Sequence, residues 1–158
     1  MHSIYVIASP FWGEGPGAQN LTVANNAVSN SGNYVQDPTV PNSVLGAITV
    51  AAEDDTAFTI ASAAPLHQNL IFSDNLIQNT PGPGFLISTA NNVILQRNHL
   101  MNTNQSSAFI ASYGTATSAG SIVITQASNA FFRANELSGS SGPISIDTET
   151  TSGITVLP

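Results

Sequence analysis

Apolar and polar residues alternate in short runs along this chain, and one run of eleven residues occurs four times. Residues 69–79 and 92–102 both read Asn, apolar, any, apolar, any, any, Asn, any, apolar, any, Asn. Residues 20–30 carry the pattern upstream, and residues 129–139 carry it downstream with Gly139 in the last place. Because a two-residue alternation is the period of a β-strand, each copy predicts a longer strand, a turn at the central Asn and a shorter strand.

A third short strand is predicted in every repeat. The sequence offers one between the two central copies, at residues 84–89. Further candidates occur at residues 3–7, 47–51, 108–112 and 143–147, and residues 154–157 read as the first strand of one more repeat. Three strands within a period of about 23 residues are typical of a solenoid, in which each repeat forms one coil.

Stacked coils would place equivalent residues above one another, because parallel strands lie about 4.8 Å apart. The central Asn26, Asn75, Asn98 and Asn135 would form an internal ladder whose amides hydrogen-bond along the axis, and Asn tolerates the left-handed backbone of a turn. Inward apolar columns follow the same register: Leu21, Leu70, Val93 and Ala130; Val23, Phe72, Leu95 and Phe132; Val28, Ile77, Leu100 and Leu137; and Phe85, Phe109 and Ile144. The alternative, a β-sandwich of short strands, gives no reason for Asn to recur in register.

The recurring Asn and apolar phrases cover most of the chain and resemble the right-handed parallel β-helix of the pectate-lyase-like superfamily. The resemblance implies an all-β fold with a single domain over residues 1–158. This domain would be a single-stranded right-handed parallel β-helix (solenoid) of about four to five coils, with three strands per coil and loop insertions on one edge. It also implies a carbohydrate-active protein, although the superfamily includes lyases, hydrolases, epimerases, phage adhesins and binding modules, so that the fold does not select an activity.

Both ends of the sequence fall within a coil, in a third strand at the start and a first strand at the end. A solenoid normally caps its ends, since open ends expose core side chains and unpaired backbone. We therefore expect either a piece of a longer β-helix, such as part of a larger secreted precursor, or a protomer that stacks on a partner.

Charge narrows the range of partners. Only 7% of the 158 residues are charged, the net charge is −7, and Arg97 and Arg133 are the only Lys or Arg residues. These values argue against nucleic acid and anionic membrane surfaces, because both are bound through Lys and Arg. No apolar run reaches the roughly 18 residues of a membrane-spanning helix. Strongly anionic polysaccharides are also disfavoured, and neutral sugars remain open. The carbohydrate polymer that we expect as the partner is what the resemblance implies.

Three predicted connections between a third strand and the next first strand are long. They occupy residues 10–18, 53–67 and 113–128 and would leave from the same edge of the solenoid. Insertions on one edge of a repeat protein commonly form its binding face. We therefore expect the three loops to cluster around a site.

The second loop opens with Glu53, Asp54 and Asp55, and Glu14 lies in the first loop, one coil below. A pair of close carboxylates can act as acid and base on a glycosidic bond, because their proximity separates their pKa values. The resemblance supports this role, since some polygalacturonase-like β-helix glycosidases use an Asp pair, but their companion Gly-His-Gly and Arg-x-Lys motifs are absent here. A Ca²⁺ site built from the same oxygens and a solvated turn are the alternatives.

Aromatic and imidazole side chains complete the predicted site. Trp12, in the Gly- and Pro-rich first loop, and Tyr113, at the start of the third, are expected to hold sugar rings; a lid over the solenoid edge is the alternative for Trp12. His67 ends the second loop and is a candidate acid, base or substrate contact, or a structural residue. Asp74 and Arg97 lie at equivalent positions of neighbouring coils and predict a cross-strand ion pair.

An apolar column on the outside is the least expected feature. The outward residues of the four phrases are Thr22, Ile71, Ile94 and Phe131, and Leu86 and Ile110 run parallel on the third face. Exposed ladders of this kind indicate a surface covered by a loop, a further domain or another subunit, and we expect a homo-oligomer. The leading functional hypothesis is a glycoside hydrolase-like protein acting on a plant or microbial polysaccharide. The alternatives are a non-catalytic carbohydrate-binding module and a structural or adhesive solenoid.

Overall fold

The computed structural model describes residues 4–9, 13, 15–31, 44–53, 59, 65–107, 110–140 and 142–158. Within these ranges the chain forms sixteen β-strands and no α-helix. In chain order the strands are β1 (Ile4–Ala8), β2 (Gln19–Ala24), β3 (Ala27–Ser29), β4 (Ile48–Ala52), β5 (His67–Ser73), β6 (Leu76–Gln78), β7 (Phe85–Ser88), β8 (Ala90–Gln96), β9 (His99–Met101), β10 (Ser112–Tyr113), β11 (Ala116–Thr117), β12 (Ile122–Thr125), β13 (Ser128–Arg133), β14 (Glu136–Ser138), β15 (Ile144–Ile146) and β16 (Thr155–Leu157).

Three parallel sheets account for all but two of these strands. Sheet I has the strand order β1-β4-β7-β12-β15, sheet II the order β2-β5-β8-β13-β16 and sheet III the order β3-β6-β9-β14. The chain passes through sheets I, II and III in that sequence, and each circuit adds one parallel strand to each sheet. The remaining strands, β10 and β11, form an antiparallel hairpin. The expected all-β, parallel architecture is confirmed at this level, and it is compatible with a solenoid.

The inward columns of sheet II lie in the predicted register. Val23 pairs with Phe72, Phe72 with Leu95 and Leu95 with Phe132, so that each apolar side chain lies over the next. Side chains from all three sheets meet in one buried cluster, where the rings of Phe72 and Phe85 contact edge to face with centroids 5.7 Å apart. The core is therefore made by packing between consecutive coils.

The central Asn column forms the predicted internal ladder. The side-chain amide of Asn26 donates to Asn75 Oδ1 at 3.0 Å, that of Asn75 to Asn98 Oδ1 at 2.9 Å, and that of Asn98 to Asn135 Oδ1 at 2.9 Å. The same oxygens also accept the backbone N–H groups of Asn26, Asn75 and Asn98, at 3.1 Å in every case. Each amide therefore joins one turn between sheets II and III to the turn of the next coil.

The left-handed residues are not the ladder residues, which corrects the expectation from the sequence. Positive φ angles occur one position earlier, at Asn25, Asp74, Arg97 and Ala134, with values between 50° and 59°. They also occur at the first Asn of each phrase, for example at Asn92 with φ 56°. A ladder Asn must direct its side chain inward, whereas the neighbouring exposed position can adopt the left-handed backbone that Asn and Asp tolerate well.

One third-face strand lies elsewhere than the sequence predicts. The prediction places it at residues 108–112, but β12 pairs with β7 and β15 in sheet I. Ile122 therefore continues the column of Phe85 and Ile144, and Phe109, predicted for that place, lies outside the described residues. The strand β12 is fully buried and consists of β-branched residues only, which suits a central position in a sheet.

The insertion before β12 consequently joins sheet III to sheet I, and it leaves from a different corner than the first two long loops. The hairpin β10–β11 lies on the outer face of sheet I. There Tyr113, Ala116 and Leu45 cover the outward side chains of Leu86 and Val123 in a second buried cluster. The outward apolar position at Leu86 is thus covered by the chain's own insertions, which is one of the three expected explanations.

Candidate functional site

Two loops leave from the corner between sheets I and II, and their ends lie side by side. Where they begin, the backbone N–H of Glu53 donates to the carbonyl of Ala8 at 2.9 Å. Where they end, Gly17 lies so close to the carbonyl of Leu66 that any side chain at Gly17 would collide with it. The structure thus brings together the ends of the first and second predicted loops. The third long insertion lies at a different corner, between sheets III and I.

Glu53 is the one predicted catalytic carboxylate among the described residues. It accepts a hydrogen bond from the Tyr5 hydroxyl at 3.1 Å and is partly buried. Burial raises the pKa of Tyr5, and the charge and hydrogen bond of Glu53 raise it further, so Tyr5 stays a donor at neutral pH. The other acidic and aromatic loop residues, Asp54, Asp55, Trp12 and Glu14, lie outside the described residues, and their roles stay predictions.

His67 is a buried residue that joins the ends of both loops. Its Nδ1 accepts the backbone N–H of Ala18 at 3.1 Å, which assigns the ring proton to Nε2, and Nε2 lies 2.9 Å from the carbonyl of Ala51. Burial lowers the pKa of His67, and the hydrogen bond to Ala51 opposes this only in part. The backbone thus occupies both ring nitrogens, which leaves none for the substrate contact that the sequence suggests.

Tyr113 is buried in the insertion that covers sheet I. Its hydroxyl donates to the carbonyl of Val44, and its ring lies in the cluster that contains Leu86 and Val123. The residue is 1% exposed, and burial raises its pKa. A ring without an accessible face cannot stack on a sugar, so the structure places Tyr113 in the attachment of the insertion and not in a ligand site, contrary to the expectation from the sequence.

A pocket of about 290 Å³, here called the corner pocket, opens between sheets I and II beside the end of the acidic loop. It is lined by Pro65, Thr89, Gln126, Ala127, Ser128, Thr150 and Ser152, none of which is charged. Gln126 Oε1 accepts hydrogen bonds from the hydroxyl groups of Ser88 and Thr89 at 3.3 and 3.2 Å. The backbone N–H of Gln126 donates to Thr150 Oγ1 at 2.9 Å. Hydroxyl and amide groups in such a pocket can bind the hydroxyl groups of a neutral ligand.

Asp147 is a buried carboxylate beside the corner pocket, and sequence reasoning missed it. It accepts hydrogen bonds from Thr115 Oγ1 at 2.9 Å, from Thr125 Oγ1 at 3.1 Å and from Thr150 Oγ1. Burial alone would raise its pKa, but the hydrogen bonds from Thr150 and Thr115 outweigh burial and lower the pKa to about 2. Asp147 is therefore ionised at neutral pH, and it holds both the pocket residue Thr150 and the hairpin β10–β11. The available signal is the sequence Asp-Thr-Glu-Thr, in which a carboxylate can accept the donors of its own turn.

No group of three or more His, Asp or Glu side chains that could hold a metal ion occurs in the described part of the chain. The Ca²⁺ site expected at the acidic loop involves Asp54 and Asp55 and stays a prediction. None of the described segments forms a helix long and apolar enough to cross a membrane. Comparison of the chain with protein-family models, with curated proteins and with solved structures finds no match.

Proposed function

We propose that this chain is a carbohydrate-active protein built on a single-stranded right-handed parallel β-helix, and that an uncharged saccharide binds at the corner between sheets I and II. The cyclic passage through three parallel sheets supports the helix. A right-handed course is expected because crossover connections between parallel strands are right-handed in about 98% of cases. The resemblance to the pectate-lyase-like superfamily favours carbohydrate as the ligand class.

The corner pocket is the observation that carries the proposal. Hydroxyl groups of Thr89, Thr150 and Ser152 and the amide of Gln126 surround it without a charge. A sugar presents complementary hydroxyl donors and acceptors, whereas a nucleic acid would require cations that a chain with two Lys and Arg residues in total does not supply. Its volume of about 290 Å³ is near the lower end of the range for small-molecule sites, about 300–1,000 Å³, which suits a single sugar unit.

Hydrolysis of the bound glycan is the second candidate activity, and the acidic loop that leaves from the same corner favours it. Glu53 opens the acidic loop at this corner, and Pro65, near the end of the same loop, lines the corner pocket. Asp54 and Asp55 follow Glu53 directly in the sequence and complete the proposed set of carboxylates. In a hydrolase one carboxyl group would protonate the leaving oxygen, and a second carboxylate would act as nucleophile or activate water.

An array of neutral oligosaccharides, followed by measurement of reducing-sugar release from every glycan that binds, tests both candidates. The double variant Asp54→Asn, Asp55→Asn should retain binding and lose release, because Asn has nearly the size of Asp but cannot act as an acid or a base. Glu136→Gln, which alters an exposed carboxylate in sheet III, is the control and should change neither quantity. Binding without release by the unmodified protein would identify a binding module, and no binding to any neutral glycan would overturn the proposal.

A further inference from the structure

A second pocket lies on the outer face of sheet II. It has a volume of about 330 Å³, is here called the face pocket, and is lined by Asn92, Ile94, Asn129, Ala130, Phe131, Gly153 and Thr155. Ser128 and Ser152 line the corner pocket, and the residues that follow them, Asn129 and Gly153, line the face pocket. The two pockets are therefore immediate neighbours, arranged along the same two segments of chain.

We propose that the corner pocket and the face pocket form one groove, which binds an uncharged oligosaccharide of at least two sugar units. This inference rests on the carbohydrate function proposed above and names its ligand class more closely. Strand β13 leads from Ser128 in the corner pocket to Phe131 in the face pocket. The corner pocket alone, at about 290 Å³, suits one sugar unit, so a ligand that also fills the face pocket, at about 330 Å³, must extend beyond one sugar ring.

Phe131 supplies an apolar contact that the corner pocket does not have. It is the partly exposed outward residue of β13, and its neighbours in sheet II are Ile94 on one side and Thr155 on the other. An aromatic ring offers a flat apolar surface, and the C–H groups of a sugar ring can pack against such a surface. Phe131 is partly exposed and lines the face pocket, so that a ligand in this pocket would contact it.

The Asn residues of the face pocket supply polar contacts beside that ring. The side-chain amide of Asn92 donates to Asn69 Oδ1 at 2.8 Å, and that of Asn129 donates to Asn91 Oδ1 at 2.8 Å. These bonds hold both amides in place, and an amide oxygen has two lone pairs with which to accept sugar hydroxyl groups. A Cβ atom at Gly153 would lie only 2.8 Å from Asn129 Oδ1, so any other residue at this position would displace the Asn129 amide.

Charge selects a neutral ligand for this groove. No residue that lines either pocket is charged, and the chain carries a net charge of −7. An acidic polysaccharide would therefore meet repulsion at long range and no compensating cation in the groove. A neutral oligosaccharide needs only the hydroxyl, amide and aromatic groups that are present.

Calorimetric titration with neutral gluco-, xylo- and manno-oligosaccharides of increasing length tests the groove. Affinity should rise from one sugar unit to two or three units, as the ligand reaches Phe131. Phe131→Ala should weaken binding of the longer ligands by roughly three- to tenfold and leave binding of the single sugar unchanged, while Phe131→Trp should preserve both. Ile71→Ala is the matched control, because Ile71 lies in the same outward column but does not line the face pocket.

The outcomes separate the groove from the function on which it rests. If the unmodified protein binds glycans with an affinity that does not depend on length, or if Phe131→Ala and Ile71→Ala bind alike, the groove is wrong and the carbohydrate function stands. If no glycan binds, the carbohydrate function is itself wrong. If light scattering shows a dimer that Phe131→Ala dissociates, a second copy of the chain covers this face and the groove is overturned. Phe131→Leu, which keeps an apolar side chain, should unfold like the parent and still lose the dependence on length.

Discussion

Two columns of Asn run parallel along the stack of coils, and they differ in what holds them there. The inner column consists of Asn26, Asn75, Asn98 and Asn135, whose φ angles are not left-handed and whose two middle members are buried. The outer column consists of Asn20, Asn69, Asn92 and Asn129, which have φ angles between 53° and 57° and are exposed to solvent. The same residue type is therefore required inside for its amide and outside for its backbone.

The hydrogen bonds of the two columns differ accordingly. The buried amide of Asn98 donates to Asn135 Oδ1 and to the carbonyl of Phe72, and its oxygen accepts two N–H groups from Asn75. The exposed amide of Asn92 donates once, to Asn69 Oδ1. The amides of the inner column donate toward the C-terminal coil, and those of the outer column donate toward the N-terminal coil. Two Asn residues that recur with the same period in this sequence therefore need not contribute equally to stability.

Removal of an inner amide should have the largest effect. Asn98→Ala leaves the backbone N–H of Asn75 and the carbonyl of Phe72 without these partners in the interior. Because a buried group left unpaired costs about 1–3 kcal/mol, we expect the free energy of unfolding to fall by about 3 kcal/mol. Urea unfolding of the variant measures this fall. A loss no larger than that of Asn92→Ala in the outer column would erase the distinction between the two columns.

The second-largest effect concerns Asp147. Like the amides of the inner column, its buried carboxylate accepts hydrogen bonds from neighbouring groups. Its pKa of about 2 in the folded chain lies below its ordinary value of 3.8. Because the folded value is the lower one, the stability that this carboxylate contributes is complete above a pH of about 4 and is lost as the pH falls toward 2. The loss amounts to about 2 kcal/mol. Urea unfolding at several pH values should show this decline in the parent and a smaller one in Asp147→Asn, and parallel curves would contradict it.

The smallest expected effect is the free-energy cost of the left-handed backbone conformation in the outer column. Both Asn92→Ala and Asn92→Gly remove the hydrogen bond to Asn69, but only the Ala variant must hold a Cβ at φ 56°. A left-handed residue other than Gly, Asn or Asp costs about 1–2 kcal/mol, so we expect the Ala variant to be about 1 kcal/mol less stable than the Gly variant. Thermal unfolding of the pair gives the difference. Equal stabilities would mean that the left-handed backbone does not set the residue requirement of the outer column.

The core and the ladder could be predicted from the sequence because each of them recurs. Four copies of one phrase align Val23, Phe72, Leu95 and Phe132 without any knowledge of the sheet, and the structure pairs these residues in the same order. Repetition does not reveal which Asn takes the left-handed conformation. At each turn more than one Asn, Asp or Arg residue could adopt the left-handed conformation. The inward direction of the ladder amide determines which residue adopts it.

The third-face strand near residue 122 could not be placed for a related reason. Residues 108–112 and 121–125 are both short apolar runs, and periodicity cannot say which of them enters a sheet. The choice depends on contacts from other coils, since β12 lies between β7 and β15 while the hairpin before it covers their outer face. The same error in the prediction places Tyr113 on the surface of a loop, whereas the structure shows it buried.

Only part of the candidate site could be predicted. The two loops at the corner were visible as departures from the repeat, and their ends do lie together. His67 was not predictable as a buried residue, because its environment depends on β5 beginning at that residue and directing the ring inward. The two pockets are lined mainly by Ser, Thr, Asn and Gln, which are so frequent in this chain that composition does not single them out.

The contact between the hydroxyl of Tyr113 and the carbonyl of Val44 has a consequence for how the chain finds its register during folding. Because the coils repeat, a chain that skipped one coil would still place Asn over Asn and apolar residues over apolar residues. The Tyr113–Val44 contact joins two insertions that belong to no repeat and are 69 positions apart in the sequence. A shift by one coil would leave the Tyr113 hydroxyl and the side chain of Leu86 without their partners. The irregular insertions thus give one alignment of otherwise interchangeable coils an energetic advantage over its neighbours.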